Sequence, residues 1–196
     1  VFSPFYVPTL TPYDRYECHV GLGYSRFLSE MQGVRTEICV FVPKGERVLI
    51  QQVTVTNLSE KTREIDLIPV VEYTHPDALK QLINADWVPQ TMQSILDKMP
   101  GGIKILSQAP FMYQTIQRNF LTANLPVSSF ESDRRAFLGG NGYGTWAAPG
   151  ALDEPELGNH LALRGDNIGA LMLHLGEMPP GGSRSAVILL GQAAGN

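Results

Sequence analysis

The sequence comprises 196 residues, of which 43% are hydrophobic and 17% are charged, so its composition is that of a folded globular protein and not of a disordered chain. The formal net charge of -4 provides no basic surface that would follow a phosphate backbone, which argues against a nucleic-acid partner. No stretch approaches the roughly 20 uninterrupted apolar residues of a membrane-spanning helix, and the apolar start of the chain is interrupted by Ser3, Pro4 and Pro8. We therefore expect one or two globular domains that have no membrane partner.

The first clear pattern in chain order is a hairpin. In residues 34–42 the even positions are β-branched while Arg35 and Glu37 fall on the odd positions, as a half-buried strand requires. Residues 43–46 (PKGE) have turn composition, and the β-rich run 48–56 follows them directly. The pattern predicts that these two strands pair with each other.

A third strand is predicted over residues 63–73, after a polar turn at residues 57–61. With the preceding hairpin it would complete a three-stranded meander. Pro69 lies inside this run and has no N–H to donate, so we expect the strand to lie at a sheet edge or to be bulged at that point.

Helix-forming residues replace the β pattern at 76–82 and at 91–99, which predicts short helical excursions. Strands are predicted again at 103–106, 111–117, 129–131, 168–175 and 186–190. The Gly-, Pro- and aromatic-rich stretch 139–157 predicts a long loop of the kind that more often carries function than not. The elements together predict an all-β antiparallel sandwich.

The sequence offers no residues for metal binding or covalent catalysis. The four histidines have no spacing that would place two metal ligands on one face, so no metal site is predicted. The serines lack a nucleophile-elbow context, and no catalytic residue is predicted within the chain. The two cysteines, Cys18 and Cys39, are expected to be reduced thiols, which favours a cytoplasmic location.

Two segments are candidates for sugar recognition. In residues 130–139 (FESDRRAFLG) charged residues alternate with large apolar anchors, which fits either a solvated bend or a guanidinium at a pocket rim that hydrogen-bonds a sugar hydroxyl or an anion. In the other segment Trp87 lies near Asp86 and Gln90, where its indole would be either a sugar-stacking platform or part of the core.

Several stretches closely resemble the N-terminal β-sandwich of glycoside hydrolase family 94, formerly grouped in glycosyltransferase family 36, which contains the inverting disaccharide and oligosaccharide phosphorylases. The matching stretches are YECHVGLGY (16–24), FVP (41–43), VTVTN (53–57), DRRAFLG (133–139) and LRGDNIGAL (163–171). The stretches NADWVPQTM (84–92) and NLPVSSF (124–130) most resemble the cellodextrin phosphorylases of this family. The cellobiose, laminaribiose and 1,2-β-oligoglucan phosphorylases are nearly as similar in these stretches.

The resemblance implies a galactose-mutarotase-like antiparallel super-sandwich over residues 1–196, truncated at its N-terminus, and a catalytic (α/α)6 barrel that would follow on the C-terminal side. It also implies phosphorolysis of a β-glucan oligosaccharide to α-glucose 1-phosphate, with phosphate as co-substrate, no cofactor, and a homodimer. The catalytic acid and the phosphate site would lie on the barrel.

Arg134 occupies the arginine of the family motif [TS]-x-R-x-x-F-L-G and is expected to contact the acceptor-side sugar. Asp133, Trp87 and Gln90 are the other expected substrate contacts, and Arg135 is expected to point away on an extended chain. Two other classes of function compete with this one: a free-standing carbohydrate-binding sandwich without catalytic activity, and a purely structural dimerisation module.

Overall fold

The computed structural model describes residues 1–7, 9–10, 12–73, 91–110, 117–139 and 146–194. These residues form mostly antiparallel strands and one short α-helix, which confirms the predicted all-β class. The strands are β1 (Arg15–Gly21), β2 (Tyr24–Met31), β3 (Val34–Phe41), β4 (Val48–Asn57), β5 (Arg63–Leu67), β6 (Val70–Glu72), β7 (Met92–Lys98), β8 (Lys104–Pro110), β9 (Gln117–Ala123), β10 (Phe130–Asp133), β11 (Asn167–Leu171), β12 (Leu173–Met178) and β13 (Ser183–Ala194). The helix, α1, spans Arg134–Leu138, and short 3-10 turns lie at Pro100–Gly102 and Gly150–Asp153. Within the described residues no helix is long and apolar enough to cross a membrane.

Eight strands form one large sheet in the order β1-β2-β3-β4-β13-β9-β8-β7. The predicted hairpin is confirmed, because β3 and β4 pair antiparallel with Ile38 opposite Val53. Both of these residues are buried in the core, as their alternation requires. Strands β1 and β2 were not predicted, since most residues of β1 are exposed and its sequence has no clear apolar period.

The predicted three-stranded meander is wrong. Strand β5 does not pair with β4, because the free edge of β4 is taken by β13 along nine aligned residues from Ser183 to Gly191. The chain instead turns away at the fully buried Asn57, whose side-chain amide donates to the carbonyl oxygens of Lys61 at 2.7 Å and Met178 at 2.9 Å. These bonds hold the segment that connects β4 to β5 against the end of β12. Strand β5 then pairs with β12 in a separate two-stranded sheet.

Pro69 lies where the predicted third strand breaks, between β5 and β6. Before the break the chain belongs to the two-stranded sheet, and after it β6 becomes the edge of a three-stranded sheet with the order β10-β11-β6. A single strand running through Pro69 is therefore wrong, although the strands on both sides of this proline do lie at sheet edges. The predicted strand over 168–175 is likewise divided, because Met172 separates β11 from β12 and both its N–H and its carbonyl bond to the chain around Ser129 and Ser128.

The helix predicted at 91–99 is wrong, because Met92–Lys98 is strand β7. Pairing with β8 overrides the local helix propensity and places Leu96 opposite Leu106. The other predicted excursion, 76–82, and residues 111–116 of the strand predicted at 111–117 lie outside the described residues. Both cysteines are free thiols, with Cys18 exposed and Cys39 half-buried.

The core lies between the large sheet and the two small ones. On the inner face of the large sheet, paired leucines run across four strands: Leu96 with Leu106, Leu106 with Leu121, and Leu121 with Leu190. Two residues along each strand the same face carries polar side chains, namely Ser94, Gln108, Asn119 and Gln192. The sandwich interior therefore changes from apolar to polar toward one end.

Candidate functional site

The candidate site is built where β10 ends and α1 begins. Strand β10 pairs with β11 at Phe130 and Glu131, and the register then shifts before Asp133 meets Asn167. The buried carboxylate of Glu131 accepts hydrogen bonds from the backbone N–H groups of Ser132 and Asp133, both at 2.9 Å. Glu131 therefore accepts from the two backbone N–H groups at the register shift, where the chain turns out of the sheet.

Asp133 is the N-cap residue of α1. Its backbone is extended, with φ at -96° and ψ at 118°, and its carboxylate accepts from the N–H of Ala136 at 2.9 Å. An N-cap aspartate satisfies one of the otherwise unpaired N–H groups at a helix start. This contact gives Asp133 a structural role, and its substrate contact stays a prediction.

Arg134 is the first residue of α1 and is held at several points. Its backbone N–H donates to the carbonyl oxygen of Asp166 at 3.0 Å, and its Nε donates to Glu72 at 2.5 Å. The guanidinium carbon lies 5.7 Å from the ring centroid of Trp146, a cation–π distance. The Arg134 side chain is 19% exposed, and its contacts with Glu72 and Trp146 orient the guanidinium.

The expectation that Arg134 and Arg135 lie on opposite sides of an extended chain is wrong. Both residues belong to α1, where successive side chains are separated by about 100° around the axis. The two arginines nevertheless differ in their surroundings, because Arg135 is exposed while Arg134 is half-buried against Glu72 and Trp146.

Glu72 and Trp146 were not among the predicted site residues. Trp146 packs on the buried Phe137 with ring centroids 5.8 Å apart, so the apolar cluster beneath α1 supports the same indole that faces Arg134. The only sequence signal for Trp146 was its place in the aromatic loop predicted at 139–157. No sequence signal pointed to Glu72, which lies 62 residues from Arg134 in the chain.

A cleft of about 370 Å³ lies beside Glu72, at the polar end of the sandwich. Its lining combines apolar residues with several hydrogen-bonding groups, the latter being Arg47, Glu72, Tyr73, Asn119 and Gln192. Burial raises the pKa of the Tyr73 phenol, which donates to the carbonyl oxygen of Leu106 at 2.8 Å and is neutral at physiological pH. The cleft and the Arg134 ion pair thus share Glu72.

Trp87 and Gln90, the other two expected substrate contacts, lie outside the described residues. Across the parts of the chain that the structure covers, no group of three or more His, Cys, Asp or Glu side chains is placed to hold a metal ion.

The chain matches the profile of the glycosyl hydrolase 94 supersandwich domain over residues 1–196. It is 28% identical to solabiose phosphorylase of Paenibacillus borealis, in an alignment that covers 100% of this chain and 24% of that protein. It is 27% identical to N,N'-diacetylchitobiose phosphorylase of Vibrio furnissii, over 92% of this chain and 22% of that protein. The chain thus spans about a quarter of the length of these curated relatives.

Among solved structures, a protein of Escherichia coli K12 named as a candidate aldose 1-epimerase shares the fold, with a TM-score of 0.51 at 10% identity over 91% of this chain and 68% of that one. This likeness agrees with the galactose-mutarotase-like architecture. Because the family profile covers residues 1–196 and the described residues form an antiparallel β-sandwich, the chain belongs to the supersandwich domain of glycosyl hydrolase family 94.

Proposed function

We propose that this domain is part of an inverting phosphorylase, which cleaves a β-glucosidic bond with inorganic phosphate and releases α-glucose 1-phosphate. The family match and the phosphorylases among its relatives support this class of activity. Within the class we favour a β-glucan oligosaccharide of the cellodextrin or cellobiose type, because of the stretches NADWVPQTM and NLPVSSF. The free thiols Cys18 and Cys39 support a reducing compartment, and the cytoplasm is the proposed location.

In an inverting reaction a carboxylic acid protonates the leaving oxygen while the nucleophile attacks the anomeric carbon from the opposite face. With phosphate as the nucleophile, the new C–O bond forms to phosphate and the acceptor-side sugar leaves with the proton. The reaction needs no metal or organic cofactor. We place the acid and the phosphate ligands on an (α/α)6 barrel C-terminal to residue 196, and the acceptor-side contacts on this sandwich.

The observation that carries the proposed role of this domain is the way in which Arg134 is held. A guanidinium offers five N–H donors in a rigid fork, which suits a pair of sugar hydroxyls. Glu72 fixes the Nε edge of that fork and Trp146 lies against its charge. An arginine oriented in this way before substrate arrives loses less conformational entropy on binding, which favours a role in recognition.

A second proposed role is to provide the surface of a homodimer. Among the described strands β1 is the outermost of the large sheet, and at the β1–β2 hairpin Val20 is 80% exposed, Leu22 103% and Tyr24 46%. An unpaired edge with exposed apolar side chains is a typical site of association between copies. We propose that this hairpin contacts a second copy of the protein.

The activity can be tested with the full-length protein and a panel of disaccharides and oligosaccharides with and without phosphate. The panel should contain cellobiose, cellotetraose, laminaribiose, sophorose, solabiose and N,N'-diacetylchitobiose. We expect phosphate-dependent release of a sugar 1-phosphate, whose α configuration is read from its proton NMR coupling. Release of free sugar without phosphate, or a β-anomeric product, would contradict the proposal. The chain of residues 1–196 alone should give no turnover, since the proposed acid lies outside it.

A further inference from the structure

Glu131 lies three residues before Arg134 and is the most deeply buried acidic side chain near the site, with 1% of its side chain exposed. Its Oε1 accepts from the N–H groups of Ser132 and Asp133, and its Oε2 lies 2.7 Å from Nδ1 of His160. A carboxylate oxygen only accepts, so Nδ1 carries the proton in this contact. Three donors therefore compensate a charge that would otherwise be costly to bury.

His160 belongs to an irregular segment, residues 157–162, which we call the strap. The strap runs along β10 and is fastened to it by backbone bonds, from Asn159 N–H to the Phe130 carbonyl at 2.8 Å and from Ser132 N–H to the His160 carbonyl at 3.2 Å. The Ser132 hydroxyl, which donates to the same His160 carbonyl at 2.9 Å, accepts from the N–H of Ala162 at 2.8 Å.

The strap is also fixed on its far side. The carbonyl of Ala162 accepts from the N–H of Ser94 in β7, at 2.8 Å, so the strap joins the edge of the large sheet to β10. The backbone of His160 is thereby held in place, while its imidazole is 62% exposed and contacts Glu131 through Nδ1.

The absence of a side chain at Gly158 leaves space for the contact between His160 and Glu131. A Cβ at Gly158 would lie 2.5 Å from ring atoms of His160 and 2.9 Å from Oε2 of Glu131, closer than real contacts allow. The strap therefore needs glycine here for the imidazole and the carboxylate to meet.

We propose that Glu131 and His160 form a positioning pair that sets the place where α1 starts, and thereby the direction of the Arg134 guanidinium. Glu131 fixes the N–H groups of Ser132 and Asp133, Asp133 caps α1, and Arg134 is the first residue of that helix. His160 holds the carboxylate in the orientation that these bonds require. The inference rests on the proposed acceptor-side role of Arg134, and neither Glu131 nor His160 needs to touch the sugar.

The test uses the full-length enzyme in the synthetic direction, with α-glucose 1-phosphate and an acceptor sugar. Because the His160 ring is largely exposed, His160→Ala can be made without opening a cavity. We expect it to lower kcat/KM for the acceptor about threefold to tenfold, which is less than the loss of a direct charge-assisted bond to the sugar because His160 acts only through Arg134, while the phosphate KM in phosphorolysis stays unchanged. His160→Asn keeps an N–H donor close to the position of Nδ1 and should restore most of the loss.

The deciding comparison is His160→Ala in an Arg134→Ala background. If His160 acts through Arg134, the second substitution has no further effect on the acceptor, since the group that it positions is gone. An equal loss in both backgrounds, or a parallel loss of phosphate affinity, would overturn the inference. The matched control is His174→Ala, which removes another exposed histidine whose Nδ1 bonds a carboxylate, that of Asp66 at 2.6 Å, and should leave the acceptor kinetics unchanged.

The two proposals fail in different ways. If Arg134→Ala weakens acceptor binding while both His160→Ala and Glu131→Gln leave it intact, only the positioning pair is wrong. If Arg134→Ala itself leaves the acceptor kinetics intact, the proposed role of the domain and the inference that rests on it are both overturned.

Discussion

Arg134 Nε lies 2.5 Å from Oε1 of Glu72, and this ion pair joins the two outer strands of the three-stranded sheet across β11. Arg134 directly follows β10, whereas Glu72 ends β6. The guanidinium is thus oriented by the far edge of its own sheet, and its direction depends on how β6 and β10 are placed around β11.

Replacing Glu72 should therefore affect recognition more than stability. Glu72 is 52% exposed, so the pair contributes about 1 kcal/mol or less to the free energy of unfolding. Glu72→Ala removes the contact at Nε and should lower acceptor kcat/KM about twofold to tenfold, because the arginine then has to be ordered on binding. Acceptor kinetics and urea unfolding measure the two effects. A large loss of stability with unchanged acceptor kinetics would contradict this expectation.

A second prediction concerns the packing of β11 beneath the cleft. A Cβ at Gly169 would lie 2.5 Å from the Tyr73 hydroxyl, which is bonded to Leu106 and cannot move without breaking that bond. We expect Gly169→Ala to destabilise the domain by about 1 to 3 kcal/mol through overpacking. Gly150→Ala is the matched control, since its Cβ would meet only ordinary contacts at 3.6 Å. Urea midpoints that are equal for the two variants would refute the packing argument.

The third prediction is a pH dependence of stability. His174 on β12 bonds to Asp66 of β5 at 2.6 Å and to Glu156 at 3.0 Å, and these hydrogen bonds, that to Asp66 first, raise the pKa of His174. Because the folded-state pKa is raised, the stabilisation is fully present below the unfolded pKa of about 6.5 and is lost as pH rises through the folded value.

His174→Gln should accordingly lower the urea midpoint at pH 5.5 and have a much smaller effect at pH 9. The side chain of His174 is 41% exposed, so the difference will be modest and will shrink in high salt. The same cost at both pH values would show that packing, and not the charge on His174, accounts for the effect.

Association through the β1–β2 hairpin gives a fourth prediction. A lysine on an exposed edge strand discourages pairing between copies, so Val20→Lys should lower the apparent mass of the full-length protein in light scattering after size-exclusion chromatography. Lys98→Ala on β7, at the opposite edge of the large sheet, serves as a control that should leave the mass unchanged. A mass that is the same for Val20→Lys and wild type would show that copies do not meet at this edge.

The sequence was sufficient for the fold class and for the β3–β4 hairpin, because alternation reports which residues face the core and a short turn leaves few choices of partner. The sequence was not sufficient to predict the pairing of β5, since the alternation of apolar and polar residues does not identify the neighbouring strand. The partner of β5 is decided by β13 occupying the edge of β4, and by Asn57 bonding to Lys61 and Met178.

The candidate site shows the same limit. Arg134 stood out in the sequence because a local motif surrounds it, and Asp133 was noted for the same reason. Glu72 could not be connected with Arg134, because the contact depends on two strands that meet only through β11. Helix propensity gave a wrong prediction for residues 91–99 for a similar reason, since the pairing of β7 with β8 decides the conformation of this segment.

The most direct test of the proposed role is a comparison of Arg134→Ala with Arg135→Ala in the full-length enzyme. Loss of a hydrogen bond to a charged donor costs roughly 1.5 to 3 kcal/mol, so Arg134→Ala should reduce acceptor kcat/KM about 10- to 150-fold and leave the phosphate KM nearly unchanged. Arg135→Ala, one position along α1 with its side chain exposed, should change acceptor kcat/KM about twofold or less. Equal effects of the two substitutions, or a larger effect of Arg134→Ala on phosphate than on the acceptor, would contradict the assignment of Arg134 to the acceptor side.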